Sequence, residues 1–156
     1  MKLRLFIALT FLLLSGVTFA GLEKDPVLGQ WMTRDKDTGN PTSIIELYLV
    51  GEELRGKIVK LYPEYSGIEN PICSGCNGIL KNKNILGMTF ISGLKKIGDK
   101  WSGGKVIDLR NVPWQGMSVS CEIWREKEMV KIKAFFWFPV FGSEDSWERA
   151  NDAKES

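Results

Sequence analysis

The groups best suited to covalent chemistry are three cysteines, Cys73, Cys76 and Cys121. Cys73-Ser74-Gly75-Cys76 has the spacing of a dithiol motif, but a reactive pair needs its first sulfur at a helix N-terminus, where the thiolate is stabilised. The flanks here are Pro71 and Asn77-Gly78, with no helical period following. A loop-pinning disulfide is the plainer reading, and chain-entropy arithmetic gives so small a ring roughly 2 kcal/mol. A redox pair, or pairing of either thiol with Cys121, stands as the alternative. Cys121 falls in an apolar row with Met117, Val119 and Ile123, which reads as a buried thiol acting as a small core hydrophobe; a modified or intermolecular thiol is the sharper reading. The sequence contains no His, which removes the usual general base and the usual metal ligand. Three cysteines fall short of the four ligands of a structural zinc site, so neither a metal nor another cofactor is expected.

The carboxylates give no catalytic pair. Glu52 and Glu53, like Glu126 and Glu128, sit where the pattern turns. Asp35 and Asp37, with Thr38 and Asn40, suit a turn cap or a weak cation contact, without the spacing or closing Glu of a calcium loop. No nucleophile elbow and no phosphate-binding glycine loop is present. No catalytic residue is assigned, and the chain is not expected to be an enzyme. What it has in quantity is aromatic surface, with six Trp and eight Phe. Most such residues serve as packing, because each buries a large area. Trp114, Trp124, Phe135, Trp137 and Phe138 are the candidates for a cavity or rim that stacks an apolar or ring-bearing ligand, since they lie near strand ends or opposite a clear apolar row.

These residues must be positioned by strands. Met117, Val119, Cys121 and Ile123 alternate with Ser118, Ser120, Glu122 and Trp124, and Val130 to Phe138 alternates likewise, its second face passing from Lys131 and Lys133 to Phe135 and Trp137. Shorter runs read as strands over Gln30 to Arg34, Ser43 to Val50, Leu54 to Leu61, Ile85 to Ile91, Leu94 to Trp101 with a turn at Gly98-Asp99, Gly103 to Leu109, and Asp145 to Arg149. Leu54 to Leu61 has no cleanly apolar face, and Gly87 and Gly93 mark bulges or close approaches. Tyr62 to Lys83 has neither period and reads as a long loop. The total is about eight or nine antiparallel strands without an amphipathic helix or a βαβ alternation. Gly29-Gln30-Trp31 near the start and Trp147-Glu148-Arg149 near the end would tie first strand to last through an indole face under a guanidinium. That favours a closed up-and-down barrel over a sandwich.

The N-terminus addresses the chain. Lys2 and Arg4 precede an apolar run from Leu5 to Leu14, and Thr18-Phe19-Ala20 supplies small residues for cleavage, the pattern of a secretory signal peptide over residues 1–20. The run is short for a membrane span, and no later segment could form one. Removing Lys2 and Arg4 leaves 19 basic against 19 acidic residues. A neutral chain with interspersed charges has no electrostatic footprint for nucleic acid.

Asp25-Pro26-Val27-Leu28-Gly29-Gln30-Trp31, Thr38-Gly39-Asn40-Pro41-Thr42-Ser43, Gly56-Lys57-Ile58-Val59, Cys73-Ser74-Gly75-Cys76, Gly87-Met88-Thr89, Trp101-Ser102-Gly103-Gly104-Lys105 and Trp147-Glu148-Arg149 occur in this order. The set resembles the bacterial family of exported proteins called DUF2147, grouped with the calycins, across essentially the whole of residues 21–156. The resemblance implies one lipocalin-like domain in which Gly29, Trp31 and Arg149 close the barrel, a binding cavity and no established enzymatic activity. Where related sequences carry a glycine-punctuated segment, this chain has Phe135-Phe136-Trp137-Phe138-Pro139-Val140-Phe141. The expectation is therefore an exported, periplasmic or secreted, non-catalytic protein that holds a small, largely apolar ligand in an all-β, lipocalin-like barrel of about eight strands. The alternative is an envelope protein-protein interaction module with a packed barrel, acting through the 62–83 loop or the aromatic segment 135–141.

Overall fold

A computed structural model describes residues 24–62 and 70–150. The segment read as a signal peptide, part of the long loop and the polar tail therefore lie outside the described residues. Eight antiparallel strands form a closed barrel in which every strand pairs with its neighbours in sequence and the first pairs with the last. They are β1 (Gly29–Arg34), β2 (Pro41–Val50), β3 (Glu53–Leu61), β4 (Thr89–Ile97), β5 (Lys100–Ile107), β6 (Ser118–Glu126), β7 (Met129–Phe135) and β8 (Gly142–Arg149). Up-and-down order puts the β1–β2, β3–β4, β5–β6 and β7–β8 connections at one end, the loop end. The tight β2–β3, β4–β5 and β6–β7 hairpins lie at the other.

Three differences from the sequence reading have one cause, the β-bulge, which inserts an unpaired residue and shifts the alternation by one. In β3, Ile58 pairs with Ile45 but Lys60 pairs with Ile44. The extra residue, Val59, turns Leu61 rather than Lys60 towards Ser43, which is why neither face of that run reads as apolar. In β4, Leu94 and Ile91 face Leu54 and Gly56 across a bulge that includes Gly93. In β5, Trp101 and Gly104 face Ile123 and Cys121 across Gly103. Each glycine joins what read as two short strands into one long strand, so the barrel has eight. Ile85 to Met88, read as the start of a strand, instead lies before β4, with Ile85 and Met88 buried.

Alternate residues of every strand turn inward and meet in one contiguous core that includes Trp31, Leu47, Leu54, Ile91, Trp101, Ile123, Val130 and Trp147. Gly104 keeps the wall thin, since a Cβ there would lie 2.7 Å from the Leu94 side chain. Two plugs complete the packing. At the hairpin end Val27 inserts beneath Trp31, whose indole N–H donates to the Val27 carbonyl at 2.7 Å. Asp25 fixes that plug by accepting from Lys96 at 2.7 Å and from the Trp101 indole at 3.3 Å. At the loop end Cys73, Cys76, Ile85, Met88 and Leu109 descend into the core from the β3–β4 and β5–β6 connections.

Candidate binding surface at the loop end of the barrel

The β3–β4 connection is held over the barrel by covalent and polar ties. Cys73 and Cys76 form a disulfide with both residues buried, and Ile72 and Asn84 form an isolated bridge across the loop. Gln115 stitches this loop to the β5–β6 connection: its side-chain oxygen accepts from the Gly75 backbone at 3.1 Å and from the Ser74 hydroxyl at 3.2 Å, and its amide donates to the Leu109 carbonyl. The backbones of Gly75 and Gly116 touch so closely that a Cβ on either would lie 2.3 Å from a carbonyl oxygen of the other loop. A buried ring of this kind is shielded from exchange with external thiols, and its position explains the pairing: Cys121 lies in the barrel wall facing the core. Burial pushes the Cys121 thiol up to about 12, with Lys105 pulling it down and Glu122 adding to the rise. Such a group has almost no thiolate near neutrality and hence no nucleophilicity there.

The opposite part of the loop end is built differently. Trp147 on β8 is buried in the core, so Asp145 and Ser143, two and four positions earlier, point to the same interior side. The register from Met129↔Glu148 to Phe135↔Gly142 is unbroken, which leaves no bulge to alter that. Yet Ser143 is exposed and Asp145 and Ala134 are half-buried. Solvent thus reaches inward-facing positions at the loop end of β7 and β8, and this recess is the candidate opening. Its polar lining comes from Asp145, which accepts from the Trp147 indole at 3.1 Å and lies 3.8 Å from Lys36 Nζ. It also comes from Thr33, whose hydroxyl meets those of Thr42 at 2.7 Å and Ser43 at 2.6 Å.

The opening lies beside the seam between first and last strands, where only Trp31↔Arg149 and Met32↔Glu148 are in register. Beyond them the strands are joined by side chains, Arg34 with Glu148 and Lys36 with the Glu144 carbonyl. At its base the Arg149 guanidinium carbon lies 3.9 Å from the Trp31 ring centroid, with donors on the carbonyls of Leu28 at 2.9 Å and Pro26 at 3.2 Å. Arg125 lies over the same ring at 4.8 Å, a partner that spacing alone did not suggest. Gly29 has φ +118°, and a Cβ there would come within 2.7 Å of Arg149. A surface pocket of about 390 Å³ sits outside this seam, lined by Lys24, Asp25, Pro26, Leu28, Gly29, Gln30 and Arg149.

The five aromatic candidates are not gathered at one place. Trp124 faces outward near the hairpin end of β6, with Lys100 Nζ 4.4 Å over its ring. Phe135 is the last residue of β7, paired with Ser120 and Gly142 on the outer side. Trp114 stands on the β5–β6 connection, half exposed, its indole N–H donating to Asp108 at 3.1 Å. Trp137 and Phe138 lie in the β7–β8 connection and are 84% and 64% exposed. The sequence reading extended β7 to Phe138; the strand ends at Phe135, and a 3-10 turn over Pro139–Phe141 carries the chain into β8. Phe136 and Val140, exposed at the same end, belong to the segment 135–141 named for the interaction reading, and exposed Ile79 belongs to the 62–83 loop. Unpaired apolar residues beyond the end of an alternating pattern were the available signal.

The family model for uncharacterised proteins conserved in bacteria, DUF2147, matches residues 29–149. The chain matches no curated protein sequence. Among solved structures it is similar to protein HP1028 from the human pathogen Helicobacter pylori, described as belonging to the lipocalin family. The TM-score is 0.65 at 17% identity, with 80% of this chain and 83% of that one covered. At such identity the likeness concerns the fold.

Proposed function

This chain belongs to the DUF2147 family, and from that premise we propose that it is an exported, non-catalytic binding protein that takes a small, largely apolar molecule at the loop end of its lipocalin-like barrel. The observation that carries this reading is the inward-facing but solvent-open wall formed by Ala134, Ser143 and Asp145, set against a plugged far side. The ligand would sit high in the barrel, because the lower interior is occupied by the core from Trp31 to Trp147. Apolar contact would supply the affinity, and Asp145, Lys36 and Thr33 would orient a polar end of the molecule. Of the five aromatic candidates, Trp114, Trp137 and Phe138 stand at the loop end where they can rim such a site. Phe135 borders it from the outside, and Trp124 serves the barrel wall.

Export is supported by the Cys73–Cys76 disulfide, a bond that persists in oxidising compartments, together with the signal-like pattern of residues 1–20. Residues 21–156 would then be the working domain, periplasmic or secreted. Among the described residues the titratable groups of the opening are a carboxylate and a lysine facing each other, an arrangement suited to orienting a polar end of a ligand.

Native mass spectrometry of the protein purified from its own cell envelope, followed by denaturing extraction, tests the reading. A stoichiometric small molecule should accompany the wild type and be lost from Ser143→Trp, which fills the opening. A bare mass in the wild type, unchanged on exposure to extracted envelope lipids, would sink it.

A further inference from the structure

Directly after the disulfide stands Asn77-Gly78, where an asparagine is followed by a glycine. The other asparagines of the chain precede proline (Asn40, Asn70), lysine (Asn82), isoleucine (Asn84), valine (Asn111) or aspartate (Asn151). A side-chain amide is attacked by the next backbone nitrogen only when that nitrogen comes up to the amide carbon. Any Cβ on the following residue obstructs the approach, and proline has no N–H to give up. Glycine obstructs least and leaves the backbone freest to turn.

The fold leaves both partners of that reaction idle. Asn77 and Gly78 are exposed. Asn77 occupies the N-cap position of the 3-10 turn Gly78–Leu80, where an asparagine side chain commonly accepts from the first amides of the turn, yet it makes no capping bond. The Gly78 N–H donates to no backbone carbonyl among the described residues, and nothing lies within 4 Å of where its Cβ would stand. Closing a five-membered ring requires rotation about the Asn77 Cα–C bond, away from its ψ of 165°. Only the 3.4 Å bond from the Leu80 amide to the Asn77 carbonyl resists, in a turn without a buried residue. So long a bond is weak and opens readily. Around it the loop is held: Cys76 by its disulfide, and Cys73 by 2.9 Å bonds with Asn82 and Lys83.

We propose that Asn77 is a site of spontaneous covalent modification in the folded protein. The Gly78 nitrogen yields its proton to solvent base and attacks Asn77 Cγ. The N–Cγ bond forms, the Cγ–Nδ2 bond breaks, and the side-chain nitrogen leaves as ammonia with a proton from water. Water then opens the succinimide. Attack at Cγ restores the ordinary main chain and leaves an aspartate; attack at the backbone carbonyl carbon leaves the main chain running through Cγ, as an isoaspartate. Nothing is oxidised or reduced, and water is the only co-reactant. Either product places a carboxylate beside Cys76 in the loop held over the barrel, and the isoaspartate also lengthens by a methylene a segment fixed at both ends. This holds whatever the barrel binds.

The test is ageing of the processed, disulfide-intact protein, made from the full-length sequence, in neutral and in mildly alkaline buffer. Peptide mapping by mass spectrometry follows each asparagine, and enzymatic methyl transfer detects isoaspartate. The peptide holding Asn77 should gain the mass that separates an acid from an amide, faster in alkaline buffer and with isoaspartate the larger share, while Asn82, Asn84 and Asn111 persist. The folded protein should react within about tenfold of the same chain unfolded in guanidinium chloride, since only a weakly held turn has to open. Asn77→Gln should age without change at this position. Gly78→Ala should slow the reaction in the unfolded chain as well as in the folded one, which separates the effect of the Cβ on ring closure from any effect on the loop at φ +59°. The proposal is overturned if Asn77 persists in the folded protein while the unfolded chain loses it, or if Gly78→Ala reacts as fast as the wild type.

Discussion

Removing the Arg149 guanidinium tests how the barrel is closed. Arg149→Ala deletes a stack 3.9 Å from the Trp31 ring and two charged donors that hold the carbonyls of Leu28 and Pro26. A hydrogen bond from a charged donor contributes about 1.5–3 kcal/mol net, and a cation over an indole about 0.5–2 kcal/mol. The bond to Pro26 is solvent-exposed, so it belongs at the bottom of its range or below. The sum is about 3 kcal/mol, or roughly a 10 °C fall in melting temperature for a domain of this size. Arg149→Lys keeps a charge over the ring but cannot reach both carbonyls in a fork, and should lose about half as much. Gly29→Ala places a methyl group 2.7 Å from the guanidinium on a backbone at φ +118°, for about 1–3 kcal/mol. The double variant is the informative one. Without the guanidinium the clash disappears and only the backbone strain is left, so the losses should fall short of additive by about 1 kcal/mol. Urea unfolding at fixed protein concentration, followed by Trp emission, reads the wild type and all four variants. A loss under about 0.5 kcal/mol for Arg149→Ala, or strict additivity in the double variant, would refute closure through this pair.

Cys121, with its thiol pushed up to about 12, should resist iodoacetamide in the folded, non-reduced protein and react once on denaturation; modification at the folded-state stage, seen by intact mass, would contradict its burial. Asp25 lies below the ordinary carboxylate value: burial alone would raise it, but the hydrogen bonds from Lys96 and the Val27 backbone, the Lys96 charge and the Trp101 indole outweigh that. A depressed folded value contributes stability that is present above the ordinary 3.8 and is lost as pH falls through the folded value. The wild type should therefore lose about 1 kcal/mol more than Asp25→Asn on acidification below pH ~4, discounted for its partial exposure, and parallel acid limbs in urea titrations would show that the plug is held otherwise.

Much of the barrel was legible in the chain. The alternation of Met117 to Trp124 and of Val130 to Phe135 survives as β6 and β7, because unbroken register keeps the period of two intact. The lipocalin-like fold and the DUF2147 likeness were likewise readable from the ordered set of short motifs. Reading failed at Val59 and Gly103, where a bulge shifts the phase while leaving composition unchanged; at Gly93 the bulge was legible, but the strand runs on through it. It failed also at Ile85, Met88 and Leu109, which pack as a plug from irregular backbone and so carry no period. The opening was hidden for a related reason. Ser143 and Asp145 occupy positions whose parity places them inside, yet their polarity reads as an outer face. The aromatic candidates were chosen from strand parity and position, which says which side a ring leaves the sheet but nothing of which end of the barrel it stands at. Trp124 stands near the hairpin end of β6, whereas Trp137 stands on a connection at the loop end.

The seam between β1 and β8 has only two register pairs, and its partners stand at opposite ends of the described chain. Strands β1 to β7 can zip in order as neighbours along the chain, but the Trp31–Arg149 stack and the β1–β8 pairing form only when the last strand arrives. Until then the nascent sheet is an open curl whose apolar side and two bare edges face whatever surrounds it. Closure of the barrel therefore needs the last strand. A chain stopped short of Arg149 would be a substrate for chaperones and proteases rather than a smaller barrel.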